Sequence, residues 1–391
     1  MTKKLGDKNK INAITETTRS INNETKLLLA VKSGGRCEFF GCNDYLFSDK
    51  ITKKNIKWGE FAHIYAFKED GPRGNKKLRP DNINDVDNLM LLCPSCHTKI
   101  DKMKNLPFYT VEILRKQKKE HEDRIKLVSG FKNTNKTKAL GMSVSIENEA
   151  ICVSEDEITE ALMAESRYQY QEKPNMIDFS NVPSENTQLY WKSKCKDINI
   201  MTEKFYEQLK RDGLEHVSVF AIGPIPLLVY LGSKLENKIK TQLFQRHRDS
   251  ESWKWNDGVG KVGYKLNIIN GKDKSKVALV LSLSGKIHQA HLPKKIDGGF
   301  YVYEITLDNQ EPNFYFLKSK DDLDRFGHIY SKTLSEIRNG HPKLKEIHLF
   351  SAIPAPIAVV CGRALNRKAD TSFKIYNPTN GAQFKYALKI N

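Results

Sequence analysis

Along the first third of the chain the apolar positions come in short, separated runs. Residues 24–32 (ETKLLLAVK) read as a short helix. Residues 108–128 (FYTVEILRKQKKEHEDRIKLV) lack Gly and Pro, and Val111, Leu114, Ile125 and Val128 predict an amphipathic helix with a heavily charged middle. The stretch 129–141 (SGFKNTNKTKALG) has no periodicity and is rich in Gly, Ser, Asn and Lys. It predicts a linker, placed over 129–145, between a domain over 1–128 and a second over 146–391. Beyond the linker, strand-like runs alternate with helix-like ones, the pattern of an α/β fold.

The larger part repeats itself. Residues 219–238 (VFAIGPIPLLVYLGSKLENK) align without a gap to residues 349–368 (LFSAIPAPIAVVCGRALNRK), at an offset of 130. Phe220/Phe350, Pro224/Pro354, Pro226/Pro356, Val229/Val359, Gly232/Gly362, Leu235/Leu365 and Lys238/Lys368 are identical. Each copy reads as a strand, a Pro-containing turn and an apolar helix, because proline fits the first helical turn, where its missing N–H is not needed. The offset is far too long for a solenoid and predicts two α/β lobes related by pseudo-symmetry.

Composition narrows the class. With 39% hydrophobic and 28% charged residues the chain is too apolar for disorder. No apolar run approaches the ~18–20 residues of a membrane helix. The first twenty residues, MTKKLGDKNKINAITETTRS, carry no apolar core segment, so a secretory signal is not expected and a cytoplasmic location is. The net charge is +17, and residues 1–130 hold 26 Lys+Arg against 17 Asp+Glu. Such a density suits a polyanionic partner, although solvated basic faces give the same excess.

Seven cysteines are too few for a disulfide framework. Four of them form two close pairs, Cys37 with Cys42 (RCEFFGC) and Cys93 with Cys96 (LLCPSCH). Cys pairs set in tight turns reach one tetrahedral ion together, and Gly41 and Pro94 are the turn residues such knuckles want. Four thiolates on one Zn²⁺ make a closed, structural site. Cys152, Cys195 and Cys361 stand alone.

Around the pairs lie His63 (GEFAHIYAF), Asn88 (VDNLMLLC) and His97, directly after Cys96 (CHTKID). This order, strand His, loop Asn, zinc knuckle, helix His, resembles the HNH nuclease family, the α+β ββα-metal fold in its four-cysteine form. The resemblance covers roughly residues 34–105. It implies hydrolysis of phosphodiester bonds, with His63 as general base. His97 would be a ligand of one divalent cation, most plausibly Mg²⁺. Asn88 would fix the His63 imidazole or reach metal or phosphate. Many family members place an Asp directly before the base; here that residue is Ala62. Glu60 and Asp101 are the candidates for the missing carboxylate. Lys53, Lys54, Lys57, Arg73, Lys76, Lys77 and Arg79 suit contacts to a nucleic-acid backbone, with nothing resembling a base-reading code.

In the C-terminal part, βα loops at the carboxyl ends of parallel strands are where α/β domains bind nucleotides. The repeat offers Gly223, Pro224 and Ile225 in one lobe and Ser351, Ala352, Ile353 and Pro354 in the other. Arg246 and Arg248 in QLFQRHRDSESWKW suit phosphates, and Ser284 and Gly285 in LVLSLSGKI suit a phosphate-facing turn. Trp253 and Trp255 alternate as on one face of a strand, which fits a base platform or a buried sheet side. Together these segments resemble the SAVED domain, two fused CARF-like Rossmann-type lobes, over about residues 150–391. The pairing resembles HNH–SAVED effectors of bacterial anti-phage CBASS systems. It implies a nuclease, silent alone, that a cyclic di- or trinucleotide drives to self-assemble and degrade double-stranded DNA with little sequence specificity. Two other readings of the residues stand beside it: a restriction-like HNH nuclease reading modified DNA, and a non-catalytic zinc protein that binds DNA and senses a nucleotide.

Overall fold

The computed structural model describes residues 20–390, apart from 75–77, 146–151, 171–172, 183–184, 236, 257–260, 366–370 and 380–382. The chain divides into two compact units, Met1–Phe131 and Lys132–Asn391.

In the N-terminal unit, α1 (Asn23–Lys32) starts where the Asn22 side chain accepts the Thr25 N–H at 2.7 Å, an N-cap bond. Strand β1 (Glu60–His63) pairs antiparallel with β2 (Leu89–Leu92), and the register sets His63 opposite Leu89 and Glu60 opposite Leu92. The next residue, Cys93, caps α2 (Pro94–Asp101), with Pro94 in the first turn. Helix α3 (Val111–Ser129) begins after its N-cap Thr110, so the helix expected from residue 108 starts three residues later. Its charged middle is laced by pairs one turn apart, Lys119–Asp123 among them. Leu29, Leu46, Ile64, Leu89–Leu92, Ile100 and Leu114 form the core beneath β1, β2 and the helices.

The C-terminal unit opens with β3 (Lys136–Val144), followed by α4 (Glu155–Ala164), β4 (Tyr168–Gln169), β5 (Asn175–Phe179), α5 (Gln188–Arg211), β6 (His216–Ile222), α6 (Ile225–Lys234) and β7 (Lys240–Phe244). These strands make a parallel sheet in the order β4-β3-β6-β7, with β5 also on β3. The second half continues as β8 (Gly263–Ile269), β9 (Val277–Ser282), β10 (Tyr301–Asp308), α7 (Lys320–Gly340), β11 (Glu346–Ala352), α8 (Ala355–Arg363), β12 (Ser372–Pro378) and β13 (Phe384–Ile390). Its sheet runs β13-β12-β11-β9-β10-β8, parallel in the middle with antiparallel edge strands β8 and β13. The two repeat copies are β6–α6 and β11–α8, one in each sheet, so the unit is two α/β lobes. Helices α6 and α8 pack on each other at Gly232 and Gly362. Lys368 of the repeat lies outside the described residues.

The linker expected over 129–145 is corrected. Residues 136–144 are strand β3, hydrogen-bonded on both sides, and every residue after Lys136 is buried. A strand covered on both faces shows no polar–apolar alternation, so its Lys, Thr and Gly content reads as loop. Lys138 is buried yet ion-paired, its Nζ 3.1 Å from Asp212 Oδ2.

Candidate functional site

The four cysteines expected to share an ion meet. Their Sγ atoms all lie within 4.8 Å of one another, and Cys42 Sγ is 3.9 Å from Cys93 Sγ. Four thiolates at about 2.3 Å from one ion would stand roughly 3.8 Å apart, so the cluster has the size of a tetrahedral site. Backbone N–H groups point at the sulfurs: Cys93 N–H at Cys37 Sγ (3.3 Å) and Cys96 N–H at Cys93 Sγ (3.4 Å). Burial pushes the Cys37 thiol up to about 12 and the Cys96 thiol higher still. At Cys93 burial acts the same way, but hydrogen bonds from Cys96 and the neighbouring thiols outweigh it and hold the thiol below its ordinary value. Deprotonating Cys37 and Cys96 against this burial needs the positive charge of a bound metal.

His63 ends β1, and its Nε2 lies 2.9 Å from Asn84 Oδ1. With Asn84 Oδ1 accepting, Nε2 carries the proton and Nδ1 is the basic nitrogen. Asn84 went unnoticed in the sequence; the signal was the Asn/Asp run DNINDVDN just before Leu89. Asn88 does not hold the imidazole. It is buried, and its Oδ1 accepts from Tyr65 N–H (2.9 Å) while its Nδ2 donates to Ile83 O (2.9 Å) and Tyr65 O (3.2 Å). Its carbonyl also accepts from Ile64 N–H at 2.8 Å. Asn88 therefore clamps the backbone leaving His63.

His97 lies on the first turns of α2. Its Nδ1 is 2.8 Å from Glu60 Oε2 and its Nε2 is 3.3 Å from Asp101 Oδ2. The hydrogen bond to Asp101 foremost, and that to Glu60, raise His97 above the usual imidazole value against the effect of burial. Burial pushes Asp101 up, but His97 and Arg73 outweigh it and hold the carboxyl low. The expectation that His97, Glu60 and Asp101 share one cation needs correction. The two nitrogens of an imidazole point away from each other, so the carboxylates sit on opposite sides of the ring. Among the described residues only the four cysteines bring three or more such ligand atoms together. His97 and Glu60 retain the donor chemistry of a divalent-cation site, one imidazole nitrogen and one carboxylate oxygen.

Of the basic residues expected on a nucleic-acid backbone, Lys53, Lys54 and Lys57 are exposed. Arg73 is not available: its side chain is 5% exposed and bonds inward. Arg79 is turned to Phe67 O and Glu69. Lys76 and Lys77 lie outside the described residues.

In the C-terminal unit the carboxyl ends of β9 and β11 meet. Leu283 N–H and Ser284 N–H both donate to Ala352 O (3.1 and 2.8 Å), and Asn313 N–H donates to Leu283 O (3.0 Å). Nothing lies within 4 Å of where a Gly285 side chain would start. Arg248 joins this group through Phe314, its guanidinium carbon 4.4 Å from the ring centroid. Ser284, Gly285, Ala352, Ile353, Pro354 and Arg248 thus share one neighbourhood. Gly223, Pro224 and Ile225 form the matching exit of β6, where Gly223 is pressed against Val144. The N-caps of α6 and α8, Pro224 and Pro354, make no side-chain cap bond. Arg246 is drawn toward Glu157 and Glu251.

Three expected ligand contacts are corrected. Trp253 and Trp255 lie in an irregular segment and are 1% and 7% exposed. Trp253 packs edge-on to Phe220 and Trp255 donates its indole N–H to Leu243 O, so neither offers a ring face to a base. Ser351 is fully buried within β11. Tryptophan spaced by two reads alike in a core and on a platform, and here the core took both.

Two family models match the chain. One, HNH endonuclease, covers residues 37–104, and the other, the SMODS-associated and fused to various effectors sensor domain (SAVED), covers residues 201–390. The chain joins an HNH endonuclease domain to a SAVED sensor domain. The HNH match spans the four-cysteine cluster, His63, Asn88 and His97. The SAVED match holds both repeat copies. No curated protein matches the chain. Among solved structures it is similar to an Acinetobacter baumannii Cap4 SAVED/CARF-domain containing receptor with the cyclic trinucleotide 2'3'3'-cAAA, at 12% identity over 79% of this chain and 64% of that one, TM-score 0.43. The same receptor with 3'3'3'-cAAA gives 13% identity over 79% and 65%, TM-score 0.43. The Moraxella osloensis Cap4 receptor gives 12% over 72% and 61%, TM-score 0.40. The chain thus spans less than two thirds of the length of these receptors. No described helix of the HNH–SAVED chain is long and apolar enough to cross a membrane.

Proposed function

We propose that this protein is a cytoplasmic effector nuclease of bacterial anti-phage defence of the CBASS kind, switched on by a cyclic di- or trinucleotide and cutting double-stranded DNA with little sequence preference. The observation that carries the reading is the joining, on one chain, of an HNH match that holds the His63 and His97 environments to a SAVED match that holds both repeat copies.

His63 takes a proton from the attacking water through Nδ1, while Asn84 holds the ring and Asn88 the backbone behind it. His97, with Glu60, is the group that would hold a divalent cation, Mg²⁺ being the one that the HNH resemblance implies. Such a cation neutralises charge on the scissile phosphate when bound. Lys53, Lys54 and Lys57 attract the duplex through its phosphates, contacts that carry no sequence information. The four-cysteine cluster would hold Zn²⁺ as a structural ion that takes no part in the chemistry. In the SAVED domain the cyclic nucleotide is received at the strand exits around Gly223–Ile225 and around Ser284, Gly285 and Ala352–Pro354. Self-assembly then brings HNH domains together.

The test is incubation of purified protein with plasmid, Mg²⁺ and a panel of cyclic di- and trinucleotides. Degradation with one ligand only, lost in His63→Ala, supports the reading. Cleavage that ignores every ligand sinks the sensor part, and no cleavage under any condition sinks the nuclease part.

A further inference from the structure

Arg73, expected on a nucleic-acid backbone, turns inward. Its Nε donates to Ile64 O (2.8 Å) and its Nη1 to Ile100 O (2.7 Å). Its Nη2 donates to Asp101 Oδ1 (2.6 Å) and to His63 O (3.4 Å). One guanidinium thereby joins the end of β1 to the end of α2. Asp101 passes the contact to His97, and His97 passes it to Glu60 at the start of β1. The chain of contacts is closed: His63, Arg73, Asp101, His97, Glu60 and back along β1 to His63.

The backbone is shaped for this. Gly71 to Gly74 (GPRG) form a turn closed by Gly74 N–H to Gly71 O at 2.9 Å. Arg73 sits at its third position with φ of 58°, a left-handed conformation that favours glycine. A β-carbon on Gly74 would lie 2.2 Å from Glu69 O, so only glycine fits at the turn's last position. Strain of this kind persists where the surroundings over-determine it, and it clusters at functional sites. Here four acceptors on two elements fix the guanidinium.

We infer that Arg73 is a positioning residue for the phosphodiesterase chemistry: it sets His97 and His63 in one rigid frame and makes no contact with DNA. This rests on the nuclease reading above. Only a planar fork reaches these acceptors at once, so lysine is no substitute. A displacement of about 1 Å in a catalytic group costs on the order of a hundredfold in rate.

The test compares full-length wild type, Arg73→Lys and Arg73→Ala. Each is assayed for bound zinc, for plasmid cleavage with activating ligand, and for amide exchange in peptides covering 61–66 and 97–102. Both variants are expected to keep zinc and to lose about a hundredfold in kcat at unchanged KM, with faster exchange in both peptides. The salt dependence of DNA binding should not change. A raised KM with kcat intact, and a log–log salt slope shallower by about 0.9, would mean a phosphate contact and overturn the proposal. So would a rate loss that vanishes once activity is normalised to zinc-loaded protein. If the wild type does not cleave, the nuclease reading fails and the exchange arm decides alone: unchanged exchange in both variants overturns the frame, and faster exchange in both supports it.

Discussion

Gly232 on α6 and Val359 on α8 meet backbone to backbone: a β-carbon on the glycine would lie 2.1 Å from the valine carbonyl oxygen. The contact has a twin, since a β-carbon on Gly362 would lie 1.9 Å from Val229 O. These four residues are the Val and Gly pairs identical in the two repeat copies. The repeat therefore encodes its own interface, each copy giving a glycine to the other's valine. A pseudo-two-fold axis between the lobes requires this reciprocity.

Replacing either glycine forces the helices apart. Gly232→Ala and Gly362→Ala are each expected to destabilise the C-terminal unit by about 1–3 kcal/mol, through overpacking against backbone that cannot yield. The double variant should cost less than the sum, because one separation relieves both clashes. Urea unfolding followed by tryptophan fluorescence measures this; single variants as stable as wild type would show that the helices slide freely.

The two metal roles separate by mutation. Cys93→Ser is expected to lower zinc content and folded yield, because the remaining sulfurs cannot close the tetrahedron. His97→Ala should keep about one zinc per chain and abolish cleavage. His63→Ala should keep zinc and lose about 10²–10⁴ in rate, the range of a general base. Metal analysis beside plasmid assays distinguishes them, and zinc loss in His97→Ala would mean that the ligands are wrongly divided.

Asn84 and Asn88 should fail differently. Asn88→Ala leaves buried groups at Tyr65 and Ile83 without partners, a cost of about 1–3 kcal/mol read in the melting temperature. Asn84→Ala removes the half-buried ring contact to His63. It should leave stability within about 0.5 kcal/mol and lower kcat roughly tenfold to a hundredfold. Equal melting losses in both would put Asn84 in the scaffold.

Two histidines, half-buried His216 and buried His348, make the C-terminal unit acid-sensitive. Burial, chiefly, holds both His216 and His348 at about 4, below the ordinary 6.5. In the unfolded chain they take up protons below about pH 6.5, while the folded state refuses them until about pH 4. Their contribution is thus intact above pH 6.5, falls between 6.5 and 4, and levels off below. The loss is bounded at about 3 kcal/mol for His348 and is smaller for half-buried His216, which solvent screens. Urea midpoints at pH 8 and pH 4.5 should differ less in His348→Gln than in wild type; an unchanged difference would show that His348 is protonated in the folded protein.

Local chemistry was legible where it depends on spacing. Cys37, Cys42, Cys93 and Cys96 announce a shared ion because a knuckle is a short-range object, and the β6–α6 and β11–α8 copies show in aligned prolines and glycines. The less visible features depend on what lies across space. Strand β3 reads as a linker because both its faces are covered. Arg73 reads as a phosphate contact because nothing nearby in sequence says that Ile64, Ile100 and Asp101 converge on it. Trp253 reads equally as a platform or a core residue because its partner, Phe220, is 33 residues away in the chain.

Strand β3 has a mechanical meaning. The polypeptide leaves α3 at Ser129 and by Lys136 is already laced into the middle of a parallel sheet, with neighbours bonded on either side. The segment that follows α3 is thus anchored at an interior strand of this sheet, not at a fringe that frays on its own.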